Sequence, residues 1–84
     1  MAVEKTKKPL TLEGARALAL AGAISRVRVV ASAKGFHVEV NDAFRVANRG
    51  GKTRIFIKSD TAIRWVAEIG LYHAEVDLEY WRGK

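Results

Sequence analysis

Cysteine is absent from the 84 residues, which excludes disulfide staples and thiolate zinc sites. Proline occurs once, at Pro9, so there is no proline-rich linker to separate domains, and the length is that of one small domain. No apolar run approaches the roughly 18–20 residues of a membrane-spanning helix. Acid is also scarce, with 9 Asp and Glu against 15 Lys and Arg, a formal net charge of +6. A surface with that imbalance attracts polyanions, nucleic acid being the commonest. What is abundant is apolar: 49% of the residues. A chain this short buries only about 60–65% of its unfolded surface, so its stability must come from packing, alone or with a second copy.

The amino terminus imitates a secretory leader, because Lys5, Lys7 and Lys8 precede a stretch rich in Ala and Leu. Glu13 and Arg16 interrupt that stretch and leave only Ala17 to Ile24, weakly hydrophobic and short for a leader core. An ordinary helix and a cytoplasmic protein are expected. Residues 1–9 read as a loose basic tail and residues 10–84 as a single domain.

Periodicity then sets the elements. Thr11 is placed to cap a helix over about residues 12–21, with Leu12, Ala15, Leu18 and Ala19 on one face and Gly22 as its stop. Ser25 to Ala31 alternates as a half-buried strand, with Arg26 and Arg28 on its polar side. Lys34-Gly35 marks a turn. Phe36, Val38, Val40, Phe44 and Val46 keep one phase and predict a long strand, bent or bulged at Asp42. Asn48 to Lys52 is a flexible turn, and residues 53–58 a third strand. Ser59 is placed to cap a second helix that Gly70 ends. Tyr72 to Trp81 predicts a last strand with Ala74, Val76, Leu78 and Tyr80 facing in and His73, Glu75, Asp77 and Glu79 facing out. The expected fold is α+β, of order α-β-β-β-α-β, a mostly antiparallel four-stranded sheet with helices packed on it.

The stretch Asn48 to Asp60 holds Gly-Lys-Thr, the end of a phosphate-binding loop. That loop needs a glycine five residues before Gly51, where Val46 stands, and must run from a strand into a helix. Here a β-branched segment follows, so a hairpin is expected. Its cations are Arg45, Arg49, Lys52, Arg54 and Lys58. Two-stranded ribbons enter a major groove, glycines let backbone N–H groups approach phosphates, and each neutralised phosphate releases counterions. The bland alternative is a charged hairpin that protects a sheet edge from aggregation. Lys5, Lys7 and Lys8 would add a loose electrostatic arm.

The other cations have a partner within the chain. Glu75, Asp77 and Glu79 form an acidic stripe on the last strand, and Arg26 and Arg28 a basic stripe on the first. Opposite charges across adjacent strands are favourable, so these strands are expected to be neighbours. His37 and His73 stand alone, without ligand-spaced companions, and Ser25, Ser32 and Ser59 lack the context of a nucleophile. No enzyme, metal or cofactor is expected. Trp65, Trp81, Tyr72 and Tyr80 are candidate stacking platforms for unpaired bases, with packing expected for Trp65. Ile55 and Ile57 share one face of the third strand and, with Trp81, are the candidate interface of a homodimer.

Leu10-Thr11-Leu12, Ala21-Gly22, Arg54-Ile55-Phe56, Ser59-Asp60, Glu68-Ile69-Gly70 and Val76-Asp77 together resemble the small ParC-family proteins associated with plasmid partition, over most of residues 10–81. The resemblance implies a bacterial cytoplasmic accessory factor that works beside a partition ATPase and a centromere-binding protein. It implies no catalytic residues. The expected function is therefore a non-enzymatic accessory of plasmid maintenance that binds DNA through the basic hairpin. The alternative is a module that docks a partition protein without touching DNA.

Overall fold

The computed structural model describes residues 7–81, in chain order β1 (Lys8–Leu10), α1 (Leu12–Leu20), β2 (Val27–Ser32), β3 (Gly35–Val40), β4 (Phe44–Val46), α2 (Ser59–Glu68) and β5 (Glu75–Asp77). The fold is α+β, but the sheet has five strands rather than four and is mixed. Its order is β1-β4-β3-β2-β5, antiparallel in the middle and parallel at both edges. Among the described residues, no helix is long and apolar enough to cross a membrane.

The alternation of β2 divides the sheet into two unlike faces. Val27, Val29 and Ala31 pair with Val40, Val38 and Phe36 of β3. Directly paired residues share a face, so these six form an apolar surface that Leu10 and Val46 extend. Helix α2 covers it with Ala62, Trp65 and Val66, and α1 adds Ala15, with Leu12 and Leu18 at the margin. Val29, Val38, Val40 and Val46 are fully buried, each worth about 1.5–3 kcal/mol relative to exposure. The opposite face carries Arg28, His37, Glu39, Arg45, Glu75 and Asp77.

Helix α1 forms as its sequence predicts. The Thr11 hydroxyl accepts the Gly14 N–H at 3.2 Å. At the other end Gly22 takes φ 69° while Ala23 N–H reaches back to Leu18 O at 2.9 Å, a glycine-terminated helix end. Helix α2 departs from expectation at its start. Ser59 is its first helical residue, Lys58 holds the cap position, and no side chain caps it.

Four sequence expectations need correction. Lys8 and Pro9, read as loose tail, belong to β1, where Lys8 N–H donates to Ala43 O at 3.0 Å; Lys5 and the rest of the tail before Lys7 lie outside the described residues. The long bent strand is two strands. Asn41 and Asp42 both adopt φ 56°, and Ala43 N–H closes the turn onto Val40 O. Asn and Asp tolerate the left-handed region better than other side chains. The Asn41 side chain also pins the turn by accepting from the N–H groups of Ser25 and Arg26 and donating to Ala23 O. The expected third strand, 53–58, is reduced to two isolated bridges, Ala47 with Thr53 and Phe36 with Phe56. It cannot pair continuously because it passes from the end of β4 to the open flank of β3. Finally, the last strand spans only Glu75–Asp77, and its supposed inward side is not inside. Val76 remains 49% exposed, and Leu78 and Tyr80 are exposed too, because β5 lies at the sheet edge past the cover of α2.

The crossing of residues 53–56 onto β3 depends on Gly35. Phe36 and Phe56 exchange two backbone hydrogen bonds of 2.7 Å each. Gly35 has φ +143°, and a Cβ there would fall 2.5 Å from Phe56 O. Gly35→Ala should therefore destabilise the protein by about 2–4 kcal/mol in urea unfolding, from backbone strain plus overpacking. Gly50→Ala, where a Cβ meets nothing within 4 Å, should stay within about 0.5 kcal/mol.

Candidate nucleic-acid interface

The segment linking β4 to residue 54 is a glycine-tipped loop that closes on itself. Asn48 N–H donates to Lys52 O and Gly51 N–H to Asn48 O, both at 2.9 Å, and Arg54 N–H donates to Val46 O at 3.0 Å. Arg45 braces the loop from within. Its Nη1 donates to Gly51 O at 2.8 Å and to Thr53 Oγ1 at 3.0 Å. Half-buried, Arg45 holds the loop rather than reaching outward. Arg54 lies with its guanidinium 4.8 Å from the centre of the Phe56 ring, a cation–π contact.

The five predicted cations thus do not form one stripe. Arg45 and Lys52 line one recess, of about 630 Å³, together with Ser32, Ala33, Lys34 and Gly51. Arg49 and Arg54 line another, of about 270 Å³, beside Thr11, Glu13 and Trp65. Lys58 stands apart beside Ile57 in a groove against α2 and β5. The first recess sets the turn joining β2 to β3 beside the glycine loop, and no carboxylate lines it. Lys34 is therefore the residue that sequence reasoning missed. It read there as a turn marker, and only the folding of the loop over β2–β3 brings it beside Lys52.

Where the acids went explains why these cations stand uncompensated. On the polar sheet face Arg26 grips Glu75 and Asp42, each at 2.8 Å. Arg28 meets Glu39 at 2.8 Å and Asp77 at 3.7 Å. The neighbourhood of the acidic and basic stripes is as the sequence predicts, with Arg28 paired directly to Glu75 in register. Lys7, expected in a free arm, is instead drawn in, donating to Asp42 O at 3.0 Å and lying 3.9 Å from Glu39. Among the described residues, none of the ion pairs involves Lys34, Arg45, Arg49, Lys52, Arg54 or Lys58.

At the centre of the polar face, His37 and Glu39 are each only 5% exposed. His37 Nε2 lies 3.0 Å from Glu39 Oε2. Burial pushes the Glu39 carboxyl up, but hydrogen bonds from His37 and Arg28 and the charges of His37 and Lys7 outweigh it and hold the group below its usual range. The hydrogen bond from Arg26 likewise lowers the Glu75 carboxyl. No group of three or more His, Cys, Asp or Glu among the described residues could hold a metal ion.

The candidate dimer residues are also divided. Ile57 and Trp81 line the groove against α2 and β5, with Ile63, Val76 and Leu78, and Ile57 is 77% exposed. Ile55 faces the opposite side, in the recess with Lys52 and Thr53. Trp65 is buried in the core, as packing required, whereas Tyr72 and Tyr80 are exposed.

A carboxyl held low in the folded state contributes stability above its unfolded pKa of about 4.3, and that contribution is lost as pH falls through the folded value. The wild-type protein should therefore lose stability as pH drops below about 4.3, read by urea midpoints across pH 3–7. Glu39→Gln should lower stability at pH 7 by about 2 kcal/mol, since Arg28 is only partly buried and partly resolvates. It should also flatten the acid limb.

Comparison with protein-family models, with curated proteins and with solved structures finds no match to this chain.

Proposed function

We propose that the chain is a non-enzymatic nucleic-acid-binding module that meets a DNA backbone with two neighbouring turns, the β2–β3 turn at Ala33-Lys34 and the glycine loop at Arg49 to Lys52. One observation carries the reading: Lys34, Arg49 and Lys52 are exposed at these turns and have no carboxylate partner among the described residues. The carboxylates of the sheet are already held by Arg26, Arg28 and Lys7. Gly50 and Gly51 have open space where a Cβ would stand, which lets a phosphate approach the backbone closely. Arg45 serves the loop's shape, and Arg54 lines its flank. Lys58 supplies long-range attraction only. A role as an accessory of plasmid partition follows from the resemblance to ParC-family proteins and from nothing in the site itself.

A second reading is favoured by a different surface. Ile57, Ile63, Val76, Leu78 and Trp81 form an apolar groove at the β5 edge, which suits docking of a protein partner, a partition protein or a second copy.

Salt dependence separates the two. DNA bound through three or four phosphate contacts should weaken with a log–log slope of about −3 to −4 in fluorescence anisotropy. Replacing Lys34, Arg49 and Lys52 together with alanine should reduce that slope by about 3. Binding with an unchanged slope would discard the turn-mediated reading, and failure of the wild-type chain to bind duplex would leave the apolar groove as the functional surface.

A further inference from the structure

We infer that the recess between the N-terminus of α1 and the flank of the glycine loop is a seat for a single phosphate group. The inference rests on the polyanion reading above and deepens it by naming a second anchoring point and the group it takes. Four donor-bearing groups border this recess: Arg49, Arg54, the start of α1 and Trp65. Arg49 and Arg54 line it, and neither has a carboxylate partner among the described residues. The first turn of α1 borders it through Thr11, Leu12 and Glu13. The Thr11 hydroxyl and carbonyl take the N–H groups of Gly14 and Ala15. Among the described residues, the N–H groups of Leu12 and Glu13 are thereby left as the helix-end donors that an anion can satisfy.

The fourth donor is independent of the helix end. Trp65 forms part of the recess wall and is only 4% exposed. Its indole N–H, the one polar group it has, is buried without any acceptor among the described residues. A buried donor without a partner is costly, and such groups in native proteins call for an explanation. The indole nitrogen is closed to water; an oxyanion that shifts the surrounding side chains as it seats in the recess supplies the missing acceptor.

The recess, of about 270 Å³, has room for a phosphate and its first waters. Its one opposing feature is Glu13, an exposed carboxylate on the same rim. Glu13 favours the N-terminus of α1 electrostatically and competes with an incoming anion. The shared chemistry is a tetrahedral phosphate oxyanion, whether a backbone phosphodiester or a free phosphate. The position fits a backbone: Arg49 belongs both to the glycine loop and to this recess, so a strand crossing the loop leads into the seat.

The chain has two tryptophans, which provides an internal control. In the ¹⁵N-labelled full chain at constant ionic strength, inorganic phosphate should shift the Trp65 indole signal and the Leu12 and Glu13 amides saturably. The Trp81 indole, in the groove on the β5 side, should stay in place. Arg54→Gln should abolish the saturable shift. Arg49→Gln, at an exposed position, should weaken it if the first variant does not fold. Glu13→Gln should tighten phosphate binding about two- to fivefold. A second arm adds a short DNA duplex. Movement of the Trp65 signal in both arms assigns the seat to a backbone phosphate. Movement with phosphate alone, without duplex binding, supports the seat as a free-anion site and removes the DNA reading. Duplex binding with the Trp65 signal unmoved in both arms overturns the seat and leaves the two-turn reading standing. In the phosphate arm, parallel drift of both indole signals, or a shift that survives in folded Arg54→Gln and Arg49→Gln, also overturns it.

Discussion

Two arginines, Arg26 just before β2 and Arg28 within it, organise the charge of the molecule. Arg26 and Arg28 hold Glu39, Asp42, Glu75 and Asp77 on the open face of the sheet, and in doing so fasten the short edge strand β5 to β2. The individual exposed pairs are worth little. Their consequence is distribution: four of the nine carboxylates are gathered on one face. The cations at the β2–β3 turn and the glycine loop are left without an ion pair among the described residues.

The two faces of the sheet have different chemistry for the same reason that β2 alternates. One side of each central strand is valine and phenylalanine, packed under α2; the other is arginine, histidine and carboxylate. The polar side is nevertheless not simply wet. Glu39 and His37 are buried among their own neighbours, and the Lys7 ammonium lies 3.9 Å from Glu39. Long cationic side chains cover surface while keeping their heads paired, so a face with no helix on it still excludes much of the water around its central carboxylate.

The glycine loop combines a rigid interior with an open rim. Arg45 spends its donors on Gly51 O and Thr53 Oγ1, and Gly35 permits the close crossing of Phe56 that anchors the returning chain. Arg49 and Lys52 are thereby presented from a braced frame on opposite flanks. Ile57, Val76, Leu78 and Trp81 leave an apolar groove beside β5, and Ile57 and Trp81 also border the β2–β3 turn at Lys34. A contact with nucleic acid at that turn and a contact with protein in the groove would thus adjoin at Trp81.

Local chemistry was legible in the amino acids alone. The Thr11 cap, the Gly22 and Gly70 helix ends, the alternation of β2 and β3, and the adjacency of the acidic and basic stripes all follow from interactions between residues close in sequence or of opposite charge. Tertiary structure alone decided the rest. Whether Asn41-Asp42 bulges or reverses depends on the partners the Asn41 side chain finds at Ala23, Ser25 and Arg26. Whether residues 53–58 form a strand depends on which edge remains open to them. Lys34 meets Lys52, and Arg49 meets the start of α1, only because separate turns fold together. Charge and periodicity specify which side chains seek water or one another; the distances at which several of them converge exist only once the chain has closed.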